Sequence, residues 1–327
     1  MAACIAGRER AAVLSPDPAM STLTALSASL ADATSRAGRS LVAVHARRRI
    51  PASGVLWRPG VIVATHHTVH LEQGIAVTLP DGSRGRASVV GRDAGTDLVA
   101  LRLEEGSPAG GAEPAAGAPE PIRTGQLALA LGRPGTRVTA ALGVVADVGP
   151  AWRSWQGGEL DRFVRLDVAI QDGFSGGPLV DGEGRVAGIN TSALARAAAL
   201  TIPTATVDRV LDRLLAGRTR RGWLGIGAQP VRLPDAARRR LADEGVEQGQ
   251  GLLLVSVEPG SPAERAGLLL GDVLLALGAV RTEDVTDVLA AVAPERVGDT
   301  LSARVLRGGE PRELSVTIEE QPERGRR

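Results

Sequence analysis

The chain has 327 residues, with 38 basic against 37 acidic side chains and a net charge of +1. That balance excludes the basic surplus on which nucleic-acid binding rests. Hydrophobic residues make up 43% and charged residues 23%, which provides for packed cores and argues against wholesale disorder. At about 150 residues per domain the length suggests two domains. All basic residues are arginine, tyrosine is absent and aromatics are only 2%, so no stacking platform for single strands is expected.

The single cysteine, Cys4, excludes an internal disulfide. Arg8, Glu9 and Arg10 lie where an export signal needs an apolar run, and no stretch reaches the roughly 20 apolar residues of a membrane span. As written, the chain reads as soluble and cytoplasmic. A periplasmic location is the alternative if the true start differs.

Residues 22–36 predict a short helix, with Leu23, Leu26 and Leu30 on one face and Ser21 as its cap. Short runs of Val, Ile and Leu at 40–46, 53–57, 61–65, 75–79, 87–91 and 98–103 then predict strands, broken by Gly, Pro and Asp. Residues 104–122 have the Pro, Gly and Ala content of a surface linker. A second strand set is predicted at 125–131, 137–146, 162–168, 178–180 and 185–190. Residues 201–217 read as a strand end entering a helix with Val207, Val210, Leu211 and Leu214 on one face. A third unit has strand-like segments at 223–228, 251–257, 272–277, 300–306 and 312–318, and a helix at 284–293.

Gly173-Phe174-Ser175-Gly176-Gly177 is the most informative segment. Glycines around a serine let the backbone turn sharply, so that the Gly173 and Ser175 amides converge on a developing oxyanion. Gly-x-Ser-x-Gly also fits the nucleophile elbow of α/β-hydrolases, but that order needs a histidine after the serine. All four histidines lie at 45, 66, 67 and 70. The subtilisin order needs an aspartate before the histidine, and only Asp17 and Asp32 precede it, in a polar region. The remaining order is His, Asp, Ser. The run 60–69 delivers a histidine from an apolar strand to a turn. Asp97 precedes an apolar run that would bury it, as an orienting carboxylate requires.

The segments GVIVATHHTV, TDLVALRL and GFSGGPLV resemble the trypsin-like serine proteases of the HtrA (DegP) family. DVAI at 167–170 and GINT at 188–191 extend the resemblance, which covers roughly residues 38–216. It implies His67 as base, Asp97 as orienter, Ser175 as nucleophile, and Gly173 and Ser175 as the oxyanion hole. Ile170, Thr191 and Ser192 are then candidates for the substrate pocket. No acidic residue is placed there to receive Lys or Arg, so cleavage after Val, Ala or Leu is expected. Phe174 departs from the Asn or Asp common before the serine. A Phe cannot make the ion pair with a new N-terminus that activates trypsin-type zymogens, so no such activation is expected.

RGWLGIGAQPV at 221–231 and the AGLLLGDV element at 266–273 resemble a PDZ domain. The resemblance implies a carboxylate-binding loop at Leu224, Gly225 and Ile226 and a strand edge for β-augmentation. The expected fold is therefore mainly β, a chymotrypsin-like double β-barrel protease domain followed by a PDZ domain, a small β-sandwich or barrel with helices. The expected boundaries are 1–39 for an N-terminal segment, 40–217 for the protease, 218–221 for a linker, 222–321 for the PDZ domain and 322–327 for a tail. The implied function is an ATP-independent serine endopeptidase acting on unfolded or misfolded proteins, with peptide C-termini as PDZ partners. The alternative is a latent peptide-binding scaffold or chaperone. No cofactor, metal or membrane span is expected, and family members commonly form trimers. His66, His70 and Glu72 have a ligand-like spacing, but it needs a helix that the β-rich surroundings argue against. His45, Trp152 and Trp155 are expected to be structural, and the Arg runs 47–49 and 238–240 solvated.

Overall fold

Runs of β-branched residues broken by turn formers give short strands here, because branched side chains fit a pleated surface and Gly, Pro and Asp fit its corners. The computed structural model describes residues 18–321, except 48, 49, 109, 119, 120, 169, 196, 197, 218–221, 244, 294 and 295. Cys4, the 218–221 linker, the 322–327 tail and two of the arginines at 47–49 lie outside the described residues.

Helix α1 (Pro18–Ala37) leads into β1 (Leu41–His45), β2 (Ala52–Arg58), β3 (Val61–Thr65), β4 (Ile75–Thr78), β5 (Arg84–Asp93) and β6 (Leu98–Leu103). These six strands close into a barrel in the order β1-β2-β3-β6-β5-β4. Ser21 lies inside α1, so the helix runs further upstream than a cap at Ser21 implies. Among the described residues of the expected linker, 104–122, there is no helix or strand beyond one isolated bridge from Gly117 to Val186.

The second barrel is built from β7 (Leu127–Gly132), β8 (Thr139–Gly149), β11 (Phe163–Asp167), β12 (Pro178–Val180), β13 (Val186–Thr191) and β14 (Ala199–Pro203). Between β8 and β11 lies a small hairpin of β9 (Trp152–Arg153) and β10 (Glu159–Leu160). Trp152 packs edge-on against Phe163, with ring centroids 5.5 Å apart. Trp155 does not pack as expected; it sits at the hairpin tip, 66% exposed. Helix α2 (Thr204–Leu215) closes the unit. Its Val207, Val210, Leu211 and Leu214 share one core cluster with Leu41, Val55 and Leu98 of the first barrel and Leu131, Ile189 and Leu200 of the second. Burying that shared apolar surface, at about 25 cal/mol per Å², fixes one barrel against the other.

The third unit comprises β15 (Gly222–Trp223), β16 (Ile226–Arg232), α3 (Asp235–Asp243), β17 (Gln250–Val257), α4 (Pro262–Arg265), β18 (Val273–Leu277), β19 (Val280–Arg281), α5 (Val285–Ala291), β20 (Thr300–Arg307), β21 (Glu310–Thr317) and β22 (Glu319–Glu320). Its main sheet runs β16-β17-β18-β20-β21, which leaves β16 at an edge. Asp284 caps α5 in a reciprocal box with Asp287. Helix α3 was not expected. It buries Ala237 and Leu241, four residues apart, against Leu275 and Leu306, while Arg238 and Arg240 pair with Asp235 and Glu310 at the surface.

Candidate active site

The ladder between β3 and β6 pairs Thr65 with Leu98. It therefore brings the turn after β3 beside the turn before β6. His67 lies in a single 3-10 turn, His66–Thr68, and the His66 amide donates to the Asp97 carbonyl at 2.9 Å. Asp97 has a φ of 58°, the left-handed region that Asp tolerates better than most residues. Its buried carboxylate accepts from the His67 amide at 2.9 Å and from His67 Nδ1 at 2.8 Å. An ionised carboxylate only accepts, so Nδ1 carries the proton and Nε2 is left free to take one.

Ser175 lies on the turn between β11 and β12. Gly173 has a φ of 91° and Gly176 of 86°, which side chains rarely adopt. Main-chain contacts are also too close for a Cβ: one at Gly176 would lie 2.1 Å from the Ser53 carbonyl. Phe174 between them is 1% exposed, and its ring lies against Gly132. Among the described residues, the amides of Gly173 and Ser175 have no hydrogen-bond acceptor. The Gly177 amide holds the Phe174 carbonyl at 2.8 Å.

The Ser175 hydroxyl lies 3.2 Å from the Ser192 hydroxyl. Among the described residues no hydrogen bond joins it to His67. Ser192 is exposed and Ile170 half-buried. Thr191 differs from its expected place in the pocket wall. It is fully buried, and its hydroxyl donates to Asp97 Oδ2 at 2.5 Å. β13 ends at Thr191, whose hydroxyl turns to the carboxylate, and Ser192, just past the strand, lies beside the serine.

Ser154, between β9 and β10, is also fully buried and donates to the Gly95 carbonyl at 2.6 Å. That contact props the turn leading to Asp97. Sequence reasoning missed both Ser154 and the orientation of Thr191, because each partner is far away along the chain.

His66 shares the turn of His67 and bonds Asp97 through its main chain, whereas the His45 side chain is engaged elsewhere. His45 Nε2 lies 2.9 Å from Thr78 Oγ1. Burial holds its pKa below the ordinary value, and the Arg84 guanidinium adds to this. Glu72 is paired with Arg92 at 3.0 Å, so its carboxylate is engaged elsewhere than between His66 and His70.

In the third unit, Gly225 has a φ of 76°, and a Cβ there would lie 2.2 Å from Ser261 Cβ. The turn at Leu224–Ile226 leads directly into the free edge of β16. Helix α5 stands across from that edge, with Val285 39% exposed. Leu224 itself is only 3% exposed and belongs to the core of this unit.

Family models match in two stretches: a trypsin-like peptidase domain over residues 52–189 and a PDZ domain over 222–318. Among solved structures, the HtrA-type protease AlgW with tripeptide is 30% identical, at a TM-score of 0.63, over 90% of this chain and 97% of that one. The chain belongs to the HtrA family of serine proteases. A serine endoprotease from Yersinia pestis is similarly related to this HtrA-family chain, with 27% identity, a TM-score of 0.67 and coverage of 90% and 98%. Among curated relatives, a Bartonella henselae protein named "Probable periplasmic serine endoprotease DegP-like" is 31% identical over 272 residues, 81% of this chain and 52% of its own length. A Brucella suis protein of the same name is 32% identical over 85% of this chain and 54% of its own length. The chain thus spans about half the length of the curated relatives it matches.

Proposed function

We infer that the chain is an ATP-independent serine endopeptidase acting on unfolded or misfolded proteins, with residues 40–217 as the protease unit and 222–321 as the PDZ unit. One observation carries the reading. His67 is oriented by Asp97 through Nδ1 at 2.8 Å, beside a serine whose loop presents the amides of Gly173 and Ser175, which have no acceptor among the described residues.

In this reading Ser175 turns from Ser192 toward His67. Catalytic hydrogen bonds commonly tighten only when substrate is bound. His67 Nε2 takes the hydroxyl proton as Oγ attacks the substrate carbonyl, and Asp97 stabilises the imidazolium. The tetrahedral oxyanion is received by the Gly173 and Ser175 amides. The leaving amine takes the proton from His67, and water then hydrolyses the acyl-enzyme by the same steps. Ile170 and Ser192 border the primary pocket, and small or medium aliphatic residues are the expected side chains there.

The edge of β16 and helix α5 form a groove for peptide C-termini, with Leu224, Gly225 and Ile226 turning amides toward the terminal carboxylate. The near-even charge balance supports protein rather than nucleic-acid partners. Leu23 and Leu26, exposed on α1, are apolar surface that a trimer contact would cover. The names of the relatives give the cytoplasmic expectation no support. We carry the periplasmic alternative for this chain, and among the described residues no helix is long and apolar enough to cross a membrane.

The contact of Ser175 with Ser192 is what favours the second reading, a latent binding scaffold. Casein digestion by the wild type and Ser175→Ala separates the two. The endopeptidase reading expects fragments ending mainly in Val, Ala or Leu, and their loss in the variant. Equal digestion by both proteins would overturn it, while loss in the variant with cleavage mainly after Arg would overturn the aliphatic pocket alone.

A further inference from the structure

The turn that carries Ser175 keeps its shape through a residue of the other barrel. Ser53, on β2, is fully buried. Its hydroxyl donates to the Gly173 carbonyl at 2.6 Å and accepts from the Arg133 amide at 2.7 Å. Its own amide donates to the Ser175 carbonyl at 3.1 Å. With one hydrogen bond donated and one accepted, the hydroxyl has a single satisfied orientation.

Peptide units are planar, so holding a carbonyl fixes the amide that follows it. Ser53 holds the 173–174 unit at its oxygen, while Phe174 donates to the Gln171 carbonyl at 3.1 Å from the other side. Ser53 likewise holds the 175–176 unit, while Gly176 donates to the Asn190 carbonyl at 2.9 Å. The Ser175 amide belongs to the unit between these two.

We propose that Ser53 is a positioning residue for the oxyanion hole, gripping from the first barrel the two peptide units that flank the Ser175 amide. The inference rests on the endopeptidase reading. Ser53 acts through the turn, in contact with its backbone alone. Replacing it with alanine leaves the Gly173 carbonyl and the Arg133 amide without a partner in a buried place, and the cheapest relief is rotation of the peptide units. Such rotation swings an oxyanion donor off its target, which affects the transition state more than the bound substrate.

The test compares wild type, Ser53→Ala and Ser53→Cys. Hydrogen exchange at the Phe174, Gly176 and Gly177 amides reads the grip itself, with no need for turnover. Peptide hydrolysis and binding of a peptide boronate, whose tetrahedral adduct occupies the hole, read its consequence. Exchange is expected to quicken in Ser53→Ala, with kcat lower by about 10- to 100-fold and KM within about twofold of wild type. Boronate affinity should fall in step with kcat. Ser53→Cys fills the space with a weak donor and should lie between, and it decides the matter if Ser53→Ala fails to fold. Wild-type exchange and kcat in either folded variant would overturn the proposal. An inactive wild type would overturn the endopeptidase reading alone, because the exchange arm still decides whether Ser53 holds the turn.

Discussion

Asp97 is held at three points, by two groups of His67 and by the hydroxyl of Thr191. The third bond places a neutral donor on the oxygen that faces the imidazole, which fixes the carboxylate's rotation. Thr191→Val keeps the shape and removes the donor. A hydrogen bond to a charged group contributes about 1.5–3 kcal/mol, so kcat should fall by about tenfold or more with KM little changed. Steady-state kinetics on a peptide substrate checks this, and an unchanged kcat would show that His67 alone orients Asp97.

His45 supports a prediction of a different kind. Its pKa in the fold lies below the ordinary 6.5, from burial and from Arg84. The unfolded chain therefore takes up a proton that the folded chain refuses, and stability falls as pH drops through 6.5 toward the folded value. Thermal melts at several pH values should show this acid-side loss reduced in His45→Gln.

The hairpin of β9 and β10 acts as a prop for the Asp97 turn. Ser154 Oγ donates to the Gly95 carbonyl and accepts from the Gln156 and Gly158 amides, both at 3.2 Å. A Cβ on Gly158 would lie 2.1 Å from the Gly95 carbonyl carbon, so the two main chains are in direct contact. Ser154→Ala strands the buried Gly95 carbonyl and two part-buried amides at a cost of about 1–3 kcal/mol. Urea denaturation should register that loss, together with a lowered kcat.

Strands such as β3 and β6 were legible in the sequence because unbroken Val, Ile and Leu runs have few other uses in a chain with clear turn residues. The order of His67, Asp97 and Ser175 was legible for the same local reason. Helix α3 was hidden because three consecutive arginines mask a stripe of only Ala237 and Leu241. The hairpin was hidden because two-residue strands leave no periodicity. Thr191 was assigned to the pocket on resemblance, whereas in the fold its hydroxyl turns to Asp97. No local pattern announces Ser53 or Ser154, since each acts on a partner brought near only by the closed barrels.

At the scale of the molecule, the site exists only where the barrels meet. His67 and Asp97 come from turns of the first barrel; Ser175, Thr191 and Ser192 come from the second. The core cluster linking Leu41, Val55 and Leu98 to Leu131, Ile189, Leu200 and α2 therefore sets the geometry of the chemistry as well as the stability. The third unit also reaches this region. A Cβ on Gly157, at the tip of the β9–β10 hairpin, would lie 2.7 Å from Leu289 Cβ of α5. Helix α5 thus touches the hairpin that props Asp97.

The central claim is that Ser175 is a nucleophile activated by His67. Its most direct test is labelling with a fluorophosphonate probe, followed by mass spectrometry of the modified peptide. The account predicts one adduct, on Ser175, that is absent in Ser175→Ala and strongly reduced in His67→Ala. Folded wild type that stays unlabelled, even with hydrophobic C-terminal peptides added, would contradict it and leave the binding scaffold as the better description.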